Sequence, residues 1–325
     1  MRGKIPRPPV KEECLYCQVQ AISVEFDDEL VPDDLHFDCL TFDNGEVGTL
    51  QDNAYQIELP TDFVTRHIEE LQTGLSTICV PGGKAIRLAS TTSQDHVIVP
   101  EGAEIRMLSS ELLTPDGPSL GLGSRSVLVA TVSGTSQSTQ ETPESMAGAV
   151  FGLGSQALGN SMRAQFQRCS HSRIDFTPAS GFPELSNGVV DIQLDYSLEG
   201  QDIFQVLKDA DASVATALGV NTLGRTFDHV IFCIARGTTY GPRQNAGWSA
   251  FAYVRGWRSV FNSNRCDKLS TLMHEIGHNF GLVHAASFDD PYGDTTGTVS
   301  FGLAQVSFSS GPCLNEKQKH LFIIM

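Results

Sequence analysis

Thr271-Leu-Met-His274-Glu275-Ile-Gly-His278-Asn-Phe-Gly281-Leu-Val-His284 decides how the rest of the chain is read. Apolar residues at helical spacing predict a helix from about Lys268 to Phe280. His274 and His278 are four apart, so their imidazoles share one face, one turn apart. Two nitrogens so placed can hold one Zn²⁺ at about 2.0–2.1 Å each. Glu275 follows about 100° further round the helix, where it can overhang an open coordination position without filling it. Gly281 suits a helix end that needs a left-handed residue. The chain then turns and offers His284 as a third ligand. Three protein ligands with a fourth position left to water define a catalytic zinc centre, not a structural one.

Working outward, the second half alternates between strand and helix patterns. Strands are predicted at 126–132 (SVLVATV), 188–194, 229–234 (HVIFCI), 249–254 (SAFAYV) and 258–262. Helices are predicted at 155–169 and 202–218, and the Ser/Thr-rich stretch 133–146 reads as a loop. Such interleaving argues for an α+β layer structure with a mixed sheet. The first half differs. Residues 19–112 read as short strands, among them VQAISVEF, AYQIELP, AIRLAS and HVIVP, punctuated by Asp-Asn-Gly at 43–45 and Pro-Gly-Gly at 81–83. The expected organisation is a tail at 1–18, a β-rich domain at 19–112, a Pro/Gly-dense linker at 113–125 and a second domain at 126–325.

Charge and composition narrow the function classes. The 325 residues carry 22 Lys plus Arg against 38 Asp plus Glu, a formal charge of −16. Such a surface repels phosphate backbones and anionic bilayers, so no nucleic-acid partner is expected. No run of 18 apolar residues occurs, so no membrane span is expected, and no signal peptide is readable at the start. Eight cysteines fall into two groups of four: Cys14, Cys17, Cys39 and Cys79, then Cys169, Cys233, Cys266 and Cys313. Even numbers in each half fit disulfides in an oxidising compartment; reduced buried thiols are the alternative.

The HEIGHNFGLVH stretch resembles the HExxHxxGxxH signature of the metzincin zinc peptidases. Further segments narrow the resemblance to the gametolysin family of algal cell-wall-lysing metallopeptidases. They are 126–132, Phe151-Gly152, Cys169-Ser170, HVIFCIARGT at 229–238, AFAYVRGWRSVFN at 250–262, Cys266 and Tyr292-Gly293-Asp294. The resemblance implies a metzincin-like peptidase domain preceded by a β-rich region that is either propeptide-like or a binding module. It implies one catalytic zinc on His274, His278 and His284, with Glu275 as general base. It also implies a protein or glycoprotein substrate, an extracellular or secretory location, and SAFAYV as a sheet edge whose Phe251 and Tyr253 main chains are candidates to receive the substrate, with ordinary strand packing the alternative for those two residues. Tyr292 and Asp294 are implied as residues that hold the descending chain.

Two departures from the family pattern define an alternative, a zinc-binding relative with impaired catalysis that acts as a binding protein. Val299 stands where the resemblance implies a turn methionine, and only ten residues follow Cys313-Leu314-Asn315, as in a truncated C-terminus. Asp289, Asp290 and Asp294 offer oxygens of the kind that bind Ca²⁺, although a solvated turn explains the first two equally well. Cys14-x-x-Cys17 has no second pair for a zinc knuckle, so a structural disulfide or free thiols explain it better.

Overall fold

The computed structural model describes residues 14–26, 34–41, 54–72, 76–86, 95–108, 122–154, 161–241 and 247–282. Its first half contains β1 (Cys14–Phe26), β2 (Asp34–Thr41), β3 (Ala54–Ile57), α1 (Thr61–Gln72), β4 (Ser76–Pro81), β5 (Lys84–Ile86), β6 (His96–Ile98) and β7 (Arg106–Leu108). The second half begins with β8 (Gly123–Ser133), α2 (Pro143–Phe151), α3 (Met162–Cys169), β9 (Ile174–Pro178) and β10 (Val189–Gln193). It continues through α4 (Ile203–Leu218), α5 (Leu223–Thr226), β11 (His229–Ile234), β12 (Trp248–Tyr253), β13 (Arg258–Asn262) and α6 (Leu269–Asn279).

Among the described residues, thirteen strands form one mixed sheet in the order β10-β8-β11-β13-β12-β1-β2-β3-β6-β5. Strand β9 runs beside the first half of β8, while β4 pairs with β1 and β7. The strands β10, β8, β11 and β13 are parallel to their neighbours, and β12 runs antiparallel to β13. A parallel centre is covered on both faces, which is why SVLVATV and HVIFCI carry unbroken apolar runs. Leu128, Ala130 and Val132 pack with Val206, Ala210 and Val214 of α4 on one face. Val127 and Val129 pack on the other, with Met146 of α2, Phe166 of α3 and Ile276 of α6. The architecture is therefore mixed α/β around one large mixed sheet.

Local signals explain most helix boundaries. Asp202 caps α4, its carboxylate accepting from the amides of Phe204 and Gln205, and Gly219 ends the helix at φ 66°. The stretch predicted as a loop at 133–146 instead delivers the start of α2. Thr142 and Ser145 cap one another's amides there, and Pro143 opens the helix. In the first half, α1 interrupts what reads as a run of strands, with Phe63 and Leu71 buried beside Ile78 and Val80 of β4.

Strand β1 belongs to two cores at once. Its first residues, Cys17, Val19 and Ala21, pack with β2 and β4, whereas Ile22, Val24 and Phe26 join the core under α4. Two disulfides clip its first half to its neighbours, Cys14 to Cys79 on β4 and Cys17 to Cys39 on β2. A third, Cys233–Cys266, ties the end of β11 to the turn that leads into α6. Cys169 is disulfide-bonded as well, and no described cysteine is free.

One buried histidine gives the fold an acid limit. His229 opens β11 against the rings of Phe176 and Phe280, with centroids 5.6 and 5.2 Å away. Burial pushes its pKa down from 6.5 to about 4. The unfolded chain therefore binds the extra proton first, so this contribution is complete above pH 6.5 and is lost as pH falls towards 4. At about 1.4 kcal/mol per pH unit the loss is on the order of 3 kcal/mol. His229→Gln is expected to flatten the stability profile across that window, read from denaturant midpoints at several pH values. A variant as acid-sensitive as the parent would contradict the assignment.

Candidate metal centre

Helix α6 is buried from Thr271 to Asn279, against β12, β13 and α3. Its end is held in place by Asn279, whose Nδ2 donates to the carbonyls of Tyr253 (3.0 Å) and Arg258 (2.9 Å). The Oδ1 of the same residue accepts from Ser259 Oγ at 2.8 Å. A single amide thus fixes the helix terminus to both strands beside it.

After the helix, the chain makes a Schellman turn. The Leu282 amide donates to Gly277 O at 3.0 Å and the Gly281 amide to His278 O at 2.7 Å, with Gly281 at φ 79°. That turn carries the Leu282 carbonyl back to His278, 2.7 Å from Nδ1. A carbonyl only accepts, so Nδ1 carries the proton and the lone pair of His278 lies on Nε2. This Nε2 faces the Nε2 of His274 at 3.1 Å, with the two rings at 82°. Two zinc ligands with bonds of about 2.0–2.1 Å in tetrahedral geometry stand roughly 3.3 Å apart. The pair therefore fits a shared Zn²⁺.

The site is dry. His274, Glu275 and His278 are at most 2% exposed. Burial, and after it the neighbouring His274, pushes the pKa of His278 down to about 3. The neutral imidazole that metal binding requires is thus the prevailing form. A third group enters from the far end of the sequence: the carboxylate of Glu25, 1% exposed, touches His274 Nε2. One ligand atom each from Glu25, His274 and His278 lie within 4.8 Å of one another.

A second cluster, Glu141 with Cys233 and Cys266, has similar spacing. Its two sulfurs are joined to each other, so it offers no thiolate, and the Glu141 carboxylate accepts from Ser263 Oγ at 3.1 Å. That cluster is structural.

The structure brings His274, Glu275 and His278 together on one buried helix. His284, Tyr292, Asp294 and Val299 lie outside the described residues, as do Asp289 and Asp290, on which the calcium expectation rests. The expected sheet edge needs correction. In the order of the sheet β12 is the outermost strand of the second half, but its outer side is taken by β1, with Phe251 paired to Val24 and Tyr253 to Ile22. The sequence reading missed Glu25 and Asn279. The only signal for Glu25 was an acidic residue inside a strand that carries no other charge, and nothing local ties it to a helix at the other end of the chain.

Gly281 carries a specific expectation. A Cβ there would meet Arg255 Cγ at 2.8 Å, in a backbone conformation that L side chains rarely adopt. Gly281→Ala is expected to cost about 1–2 kcal/mol and to loosen the turn that orients His278. A lower thermal midpoint with faster zinc release to a chelator is the expected outcome; unchanged release would separate the turn from the metal.

The profile of the Gametolysin peptidase M11 family matches residues 126–314, more than half of the chain and all of its α6 helix. No curated protein matches the chain. Among the described residues no helix is long and apolar enough to cross a membrane. With the buried histidine pair inside the matched span, the chain belongs to the gametolysin peptidase family and is a zinc metalloendopeptidase.

Proposed function

We propose that this site cleaves extended segments of extracellular or cell-wall proteins and glycoproteins, using Glu275 as general base. The facing Nε2 atoms of His274 and His278, with the His278 tautomer set by Leu282, are the observation that carries the reading. His284 is the proposed third ligand. Bound zinc would supply a Lewis acid that polarises the scissile carbonyl and lowers the pKa of water from 15.7 towards about 7. The Glu275 carboxylate accepts the proton of the attacking water and later hands it to the leaving amine. Once β1 is displaced, the main chains of Phe251 and Tyr253 would be free to hold the substrate as an added strand. Disulfides accord with an oxidising, extracellular setting.

Because β1 already lies along β12, the test follows gelatin hydrolysis before and after brief tryptic nicking, alongside elemental analysis of the purified chain. A single bound zinc, and hydrolysis that 1,10-phenanthroline abolishes, support the reading. Metal-free protein, or hydrolysis indifferent to the chelator, overturns it.

A further inference from the structure

We propose that Glu25 is a ligand of the metal held by His274 and His278, and that β1 over Ile22–Phe26 fills the place of a substrate strand. The intact chain is then blocked by its own N-terminal half. This inference rests on the peptidase reading above.

Register provides the first argument. Ile22, Val24 and Phe26 pair antiparallel with Tyr253, Phe251 and Trp248, the strand whose main chain a peptide substrate would need. A substrate strand and β1 cannot occupy that side together. Side-chain direction provides the second. Along β1 the even positions 22, 24 and 26 point into the core under α4, so Glu25 points to the opposite face, where α6 packs. The pairing slips between Glu25 and Phe26, a bulge that re-aims a side chain beside a site.

Chemistry provides the third. Glu25 Oε1 meets the same His274 nitrogen that faces His278, so one oxygen and two nitrogens converge on a single point. A proton at that point can bridge only two of the three, whereas a divalent cation binds all of them. Glu25 and Glu275 also place two carboxylates in a region at most 1% exposed. A divalent cation at that point would attract both carboxylates, and low exposure leaves the attraction little screened.

The test compares the full chain with Glu25→Gln, both loaded with Co²⁺ as a spectroscopic stand-in and with Zn²⁺ for turnover. Acetohydroxamate, a small bidentate metal ligand, probes whether the fourth position is open. Expected results are parent absorption bands that acetohydroxamate leaves unchanged and variant bands that it shifts. Gelatin hydrolysis by either zinc-loaded protein should stay low until the chain is nicked, since β1, an intramolecular strand at millimolar effective concentration, still lies along β12. Parent bands that shift as readily as the variant's would overturn the assignment of Glu25 while leaving the peptidase reading intact. Failure of both proteins to bind metal would instead remove the peptidase reading itself. If the variant does not fold, X-ray absorption of the parent zinc protein decides: a carboxylate oxygen with no exchangeable water supports the proposal, and an exchangeable water overturns it.

Discussion

Glu275→Gln, made in protein relieved of its N-terminal block by nicking, is expected to keep its zinc and lose about 10²–10⁴-fold in turnover. The amide fills the same volume at a fully buried position, so packing on α6 is conserved. What disappears is the capacity to take a proton from water and return it to the leaving amine. The loss should fall on kcat more than on KM, because the carboxylate acts on the reacting atoms and not on the bound strand. Near-parental turnover in a zinc-loaded variant would remove Glu275 from the role of base.

His278→Ala is expected to have the larger effect on stability. The substitution leaves a cavity in a helix that is buried on all sides, and replacing a buried ring by Ala costs on the order of 3 kcal/mol. It also removes a metal ligand, and metal affinity contributes directly to folding free energy. For the parent, zinc at a thousandfold excess over its dissociation constant should add about 4 kcal/mol to the stability of the folded state. The variant should lose that increment. The measurement is the thermal midpoint of each protein with zinc and after chelation. A variant whose midpoint zinc raises as much as the parent's would show that the metal sits elsewhere.

Much of this centre was legible in the sequence because its parts are local. Two histidines four apart on a helix must share a face, and Gly281 three residues later must permit a turn. The parallel strands were legible for a similar reason, since burial on both faces leaves continuous apolar runs such as HVIFCI. What escaped was non-local, or was masked by polar composition. Helix α2 begins in a Ser/Thr-rich run, and residues that favour loops also make good caps. Helix α1 buries little beyond Phe63 and Leu71, so its apolar stripe is too narrow to stand out against the strands around it. The pairing of β1 with β12 has no local signature at all. Which strand completes a sheet is set by tertiary register, and only the fold reveals that Val24 lies opposite Phe251.

The junction of β1 and β12 also has a consequence for how the chain is made. Ile22 pairs with Tyr253, roughly 230 residues further along. At about 5–20 residues per second, synthesis leaves the far half of β1 waiting roughly ten to fifty seconds for its partner strand. During that interval its outer side is an open row of amides and carbonyls, the kind of edge on which neighbouring nascent chains pair and aggregate. A charge pointing inward on such an edge discourages foreign strands, because burying it without a counter-charge is costly. Glu25 is that charge, and its cost is relieved once the histidine helix and its cation arrive. The carboxylate that closes the finished protein thus also guards the unfinished one.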